Sequence, residues 1–298
     1  MNGFQRLKVF TLGFSLVFVN ALAMSQDVTE VPAALREVLP EPELNLAEVN
    51  GKKVTGADVR ARMLSAPPAE LLAPRSLEAY VQECVDRVLL ENFLKKRRVE
   101  VEDEAVDERV KAFLARASKA AGSEEAALER LGLNEESLKR TVRLSLTWLK
   151  HAQQTLVDKQ YRDYFKEHQQ ELDGSRVVLT YKFIRLTENA ADAEMERASS
   201  ELNAAITDGD LGERVTTEYV GTLPPVVTRK AFAMSAEETS DVIVTPQAAY
   251  IIRVHARIPG QLSLEDVRTQ VLSALAQQLW DEEVARQRSN ARIRVTLP

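Results

Sequence analysis

Few side chains in this sequence are equipped for acid–base or ligand chemistry. There are three histidines, His151, His168 and His255, and one cysteine, Cys84. An unperturbed imidazole titrates close to neutrality and can act as a general acid, a base or a metal ligand. These three are scattered without ligand spacing, so no metal site is expected. Cys84 sits inside an apolar helical pattern and reads as a small core residue rather than a reactive thiol. No G-x-x-x-x-G-K-[ST] stretch occurs, so no phosphate-cradling loop and no cofactor are expected. What remains is aromatic and apolar. Tyr161, Tyr164, Phe165 and Trp280 stand in helical patterns, where aromatics more often belong to a core.

Charge and the N-terminal stretch narrow the class. Arg6 and Lys8 precede an apolar run, Val9 to Val19, and Ala21-Leu22-Ala23 supplies a small-x-small cleavage pattern. Residues 1–23 therefore read as a secretory signal, with retention as an uncleaved anchor as the alternative. Cleavage removes two cations and no acid, taking the net charge from −6 to −8. Such an acidic chain is a poor nucleic-acid binder, because that binding relies on neutralising phosphates. One cysteine permits no internal disulfide, so stability must come from packing. About 275 mature residues suggest two modest domains.

The elements are arranged around Ser76 to Arg98. Leu77, Val81, Cys84, Val85, Val88 and Leu89 follow helical spacing, and Leu90, Phe93 and Leu94 widen the apolar surface beyond one stripe. Such a helix needs partners on more than one side. Ser76 is placed to cap it, and the basic run Lys95 to Arg98 complements the negative end of its dipole. Upstream, residues 24–44 read as a flexible leader, and Asn50-Gly51 between two short strands predicts a type I′ hairpin. Thr55 with Asp58 forms a capping box for a helix that stops before Pro67-Pro68. Further helices are expected over Asp103–Ala121, in a short segment after Ser123, after Asn134 with Leu138, Val142, Leu146 and Leu149 inward, and over Asp158–Gln170.

Asp173-Gly174 marks a boundary. Val177–Leu186 reads as a strand, Ala190–Ile206 as a helix, Thr217–Gly221 as a strand, and Pro225–Phe232 as a helix. Val242–Thr245 and Tyr250–Val254 read as two more strands, giving a compact α+β unit over 173–259. From 260 to 298 a long helix carries Val267, Val271, Leu275 and Leu279, followed by a strand at Arg292–Leu297. An orphan strand is unstable, so this one is expected to pair with the hairpin near Val49 and complete the helical domain of 45–172.

This order of parts resembles the exported parvulin-type chaperones SurA, PpiD and PrsA. Ala47-Glu48-Val49-Asn50-Gly51-Lys52-Lys53-Val54-Thr55 is similar to their A-x-V-N-G-x-x-I-T opening. Val101 to Val106 keeps the outer residues of their V-[ST]-D-E-E-V, and Tyr161 to His168 is like their Y-Y-x-x-H helix. Leu223 to Met234, Glu238 to Val242 and Ala249 to Val254 follow the second half of their parvulin module. The resemblance implies a mostly helical SurA-like chaperone domain with an inserted parvulin-like α+β domain, an overall α+β fold. It implies a periplasmic, ATP-independent chaperone that holds unfolded or extended polypeptides in a groove between the two. It predicts no nucleic-acid partner and membrane contact only through clients or a retained signal. Oligomeric state is left open.

The catalytic positions depart from the family. The first-strand histidine falls on Lys182 and the last-strand histidine on Tyr250. The aromatic floor of the proline pocket falls on Val227 and its neighbour on Leu223. With Phe232, Tyr161, Tyr164 and Phe165 they form the peptide-binding set that the chaperone resemblance implies, and Trp280 is a further candidate client contact. His255, five residues past Tyr250, is expected on the opposite face. The expectation is a parvulin-like domain without catalytic residues. The alternatives are an isomerase rebuilt on Lys182 and Tyr250, and a docking subunit of an envelope complex.

Overall fold

The computed structural model describes residues 38–64, 75–131, 133–187, 190–221 and 223–297. The signal-like segment, most of the leader and Pro67-Pro68 lie outside the described residues. The chain is α+β and divides into two compact units. One holds the described residues up to Leu156 and from Leu272 onward; the other is Val157–Val271.

The first unit begins with strands β1 (Asn45–Val49) and β2 (Lys52–Thr55). Asn50 and Gly51 between them have φ of 51° and 86°, the two positive values that a type I′ turn requires. The last strand, β7 (Ile293–Val295), pairs antiparallel with the other edge of β1, placing Val49 opposite Ile293 and Ala47 opposite Val295. Asn50 serves both events. Its backbone N–H donates to the Arg292 carbonyl at 2.9 Å, and its side-chain oxygen accepts from the Arg292 N–H at 2.9 Å.

Helix α1 (Gly56–Leu64) starts where the Thr55 N–H and hydroxyl both donate to the Asp58 carboxylate, at 2.9 and 3.0 Å. Helix α2 (Leu77–Arg97) is capped by the Ser76 hydroxyl, which accepts from the Ala79 N–H. It ends at Arg98, held left-handed at φ 56° without a glycine. Tyr80, Val81, Val85, Val88, Leu90 and Leu94 of α2 are buried on more than one side. The helix is not purely apolar inside, however. Arg87 is buried too, and donates to the Thr141 carbonyl at 3.2 Å.

Carboxylates on α2 bind cations from the elements around it. Glu83 takes Arg62 and Arg75, while Glu91 takes Lys52 and Arg140. Arg140 also reaches Asp58 at 2.9 Å. Burial pushes the Glu83 carboxyl up, but Arg62 and Arg75 outweigh it and hold the group below its usual value. Three more helices follow: α3 (Asp103–Ala121), α4 (Glu124–Leu131) and α5 (Glu135–Thr155). On α5 the buried residues are Leu138, Val142, Leu144, Thr147, Trp148 and Ala152, whereas Leu146 and Leu149 are only half-buried. The face turns toward Trp148, whose indole N–H donates to the Ala276 carbonyl at 2.9 Å.

The second unit opens with two helices, α6 (Asp158–Glu167) and α7 (Gln169–Leu172), where the spacing predicts one. His168 leaves helical geometry at φ −108° and stacks on Tyr164, with ring centroids 4.2 Å apart. The sheet that follows has antiparallel order β4-β3-β6-β5, from β3 (Arg176–Arg185), β4 (Val215–Glu218), β5 (Ile243–Val244) and β6 (Ala248–Ile258). Helix α8 (Asp192–Thr207) packs Ala198, Leu202 and Ala205 on one face with Ala249 and Ile251. Helix α9 (Pro225–Ala233) packs Val227, Ala231 and Phe232 on the other with Val177, Leu179, Ile252 and Val254. The last helix, α10 (Leu264–Arg288), contains the division between the units.

The ends of the sheet-bearing segment are stitched together. The Leu262 N–H donates to the Asp173 carbonyl at 2.9 Å, and the Gly260 N–H to the Ser175 hydroxyl at 3.0 Å. A Cβ on Gly260 would stand 2.2 Å from the Asp173 carbonyl oxygen, a backbone atom that cannot swing away.

Two outcomes follow from this packing. Gly260→Ala lowers the unfolding free energy of the second unit by about 1–3 kcal/mol, the usual cost of forcing an extra methyl group into a closed site, read by denaturant unfolding. Burial pushes the Cys84 thiol up to about 12, so an aromatic disulfide reagent leaves it unlabelled at pH 8 until the chain unfolds.

Candidate functional site

Alternation along the two long strands sorts their side chains. Val177, Leu179 and Tyr181 of β3 share the α9 face with Tyr250, Ile252 and Val254 of β6. Phe183 lies opposite Tyr250 in the strand pairing, and their rings stack with centroids 5.6 Å apart and planes at 24°. Tyr181 continues the row, 6.4 Å from Phe183 at 22°. Three aromatic rings thus run across two strands, and Phe183 is 45% exposed. Offset aromatic stacking of this kind forms a stiff apolar surface at little entropic cost.

Lys182 lies on the other face. Its ammonium reaches the Asp210 carboxylate at 2.6 Å, and its backbone pairs with Ile251. Strand alternation separates it from Tyr250, so the donor pair Lys182/Tyr250 is not brought together. The alternative of an isomerase rebuilt on Lys182 and Tyr250 needs both on one face, and the strand pairing puts them on opposite faces. The residues sharing the Tyr250 face are Tyr181 and Phe183. Their signal is present in VVLTYKFIRL, where Tyr181 and Phe183 alternate with Val177 and Leu179. His255 is also on the Lys182 side, its Nε2 3.2 Å from the Thr180 hydroxyl, beside a break in the β3–β6 register.

The peptide-binding candidates Leu223, Val227 and Phe232 are buried. Val227 is fully covered, and Leu223 and Phe232 are nearly so. Phe232 meets Tyr219 edge-on at 5.1 Å. These side chains form the core under the aromatic row and do not line an open pocket. Tyr161 is buried beneath Arg268, whose guanidinium lies 4.5 Å from the ring centre and is tied to Asp158 at 2.6 Å. Tyr164 is engaged with His168, Phe165 is half-buried, and Trp280 is buried against Trp148 in the first unit. Of the residues proposed from sequence, Tyr250 alone belongs to the aromatic row.

Arg257 holds α9 in place against the sheet. Its guanidinium donates to the Phe232 carbonyl at 2.6 Å and the Met234 carbonyl at 2.8 Å, capping the helix C-terminus. A concavity lies wholly in the first unit, a cleft of about 510 Å³. Leu94, Val101 and Leu144 give it apolar walls, with Lys95, Arg143 and Glu100 around them. Among the described residues no group of His, Cys, Asp and Glu could hold a metal ion, and no helix is long and apolar enough to cross a membrane.

Residues 157–269 match the family model of the PPIC-type PPIASE domain. The chain carries a parvulin-type domain. Its matched residues coincide closely with the second compact unit. No curated protein matches the chain in sequence. Several solved structures are similar to it. The foldase protein PrsA from Streptococcus pneumoniae is 20% identical, with 82% of this chain and 92% of that chain covered and a TM-score of 0.33. The peptidylprolyl isomerase PrsA from Bacillus anthracis is 16% identical over 73% and 99%, with a TM-score of 0.38. A SurA-like chaperone from Campylobacter jejuni is 12% identical over 86% and 100%, with a TM-score of 0.33.

Two charged contacts of the parvulin-type domain separate cleanly by substitution. Lys182→Ala removes one exposed ion pair and changes stability by less than about 1 kcal/mol. Arg257→Ala leaves two helix-end carbonyls without their cationic donor and costs about 1–2 kcal/mol, both read by chemical denaturation.

Proposed function

We propose that this protein is an exported, ATP-independent chaperone whose parvulin-type domain binds extended polypeptide without isomerising it. The observation that carries this reading is the row Tyr181–Phe183–Tyr250. Rotation of a prolyl peptide bond must cross a barrier of about 18–20 kcal/mol. Lowering it requires polar groups aimed at the twisted amide in the transition state. On this face Tyr250 stands where the resemblance expects a histidine, Lys182 is turned away, and the residues beneath are apolar core. Such a surface suits holding, since short apolar and aromatic segments of an extended chain can lie across stacked rings. The cleft in the first unit adds a place for mixed polar and apolar segments. The signal-like N-terminal sequence supports work outside the cytoplasm, on unfolded envelope proteins.

Exchange NMR of an Xaa-Pro peptide, with aggregation of an unfolded outer-membrane protein measured in parallel, tests the proposal. The wild-type protein is expected to leave the exchange rate unchanged and to suppress aggregation. The double variant Phe183→Ala/Tyr250→Ala is expected to lose a large part of that suppression while keeping its circular dichroism. Accelerated exchange that disappears in Tyr250→Phe would replace the proposal with a rebuilt isomerase using the phenol. Failure to suppress aggregation would replace it with a docking subunit.

A further inference from the structure

Both tryptophans of the chain, Trp148 and Trp280, meet in the first unit, edge to face at 5.3 Å. They stand where α5 packs on α10, and Trp148 also faces α2 through Phe93, 6.5 Å away. One titratable ring is set into this aromatic group. His151 of α5 stands 5.3 Å from Phe93, near perpendicular, and 5.3 Å from Trp148. The Phe93 ring already carries a cation, because the Arg97 guanidinium lies 5.4 Å from its centre.

We propose that His151 is an acid-sensitive latch: its neutral ring completes the aromatic packing of α2, α5 and α10, and protonation opens that packing. The charges that face it support the geometry. Arg97 comes from α2 and Glu283 from α10, while its neighbours one turn away on α5, Thr147, Trp148, Gln154 and Thr155, are uncharged. Glu283 is buried and already accepts from Arg286 and Gln287, both at 2.7 Å, so it is poorly placed to move toward a new imidazolium. Burial, then Arg97, hold the His151 pKa below its ordinary 6.5, and Glu283 opposes them.

The sign follows. The folded state prefers the neutral ring, so this site's contribution to stability is complete above pH 6.5. It is lost progressively as the pH falls from 6.5 to the lower folded-state value, because the unfolded chain takes up the proton first. Once protonated in place, the imidazolium shares one aromatic ring with Arg97, and one of the two must leave. Loss of the imidazole uncovers Trp148 at the junction of the three helices. Acid thereby converts closed apolar surface into open apolar surface in the unit that also contains the cleft.

The test uses the full chain and its native fluorescence, since both tryptophans report this junction. Imidazole proton NMR of the wild type should show one ring titrating below 6.5. Tryptophan emission should fall with the same midpoint, and thermal stability should decline between pH 7 and 5. His151→Phe and His151→Gln should both abolish the emission change and flatten the stability profile, and Arg97→Gln should move the midpoint upward. The same acid response in the His151 variants would overturn the proposal and assign the response to carboxylates of the α2–α10 contact, Asp86 and Asp281. A His151 ring that titrates without any change in emission or stability would overturn it as well.

Discussion

β1 has a partner on both edges, and the first unit depends on that. β2 reaches it through a two-residue turn, whereas β7 arrives from the far end of the chain. Each free strand edge exposes unpaired backbone groups, which β7 satisfies on one side. Closure entropy grows only with the logarithm of the intervening length, so a whole α+β unit can lie between the paired strands at modest thermodynamic cost. The penalty is kinetic. Contacts so distant in sequence form late, and until β7 is available the hairpin packs with one bare edge.

Charge inside the first unit works alongside this pairing. Glu83 and Glu91 on α2 collect cations from α1, β2, α5 and the segment before α2. Buried ion pairs gain little net stability against well-packed apolar side chains, but removing one partner leaves a costly orphan. The network therefore selects a register for α2 among its neighbours more than it strengthens the core. Because the cations hold the Glu83 and Glu91 pKa values below their usual range, that contribution is present at neutral pH and lost only as strong acid protonates the folded carboxylates.

Local chemistry was the readable part of the sequence. Ser76, Asn134 and the Thr55/Asp58 pair cap helices in the structure, and Asn50-Gly51 makes its turn, because each device acts within four residues. The pairing of the last strand was readable for a different reason, since a lone strand must find an edge. The polar interior was not. Arg87 and Arg62 are buried through partners distant in sequence, which no periodicity encodes. At the candidate site, strand existence was plain, but a single step along β3 decides which face a residue serves. Lys182 therefore faces away from Tyr250, whereas Tyr181 and Phe183 share its face. The break at His168 depends on a ring stack that spacing alone does not reveal.

The contact between Asp173 and Gly260 has a consequence for how such a chain can change over generations. Where a segment's two ends touch, the backbone outside it follows the same path whatever lies between. Excision of the intervening sheet and joining of the ends by a short turn would leave the flanking chain where it was. A parvulin-type module held this way can be lost, replaced or diverge without rerouting the chain that flanks it.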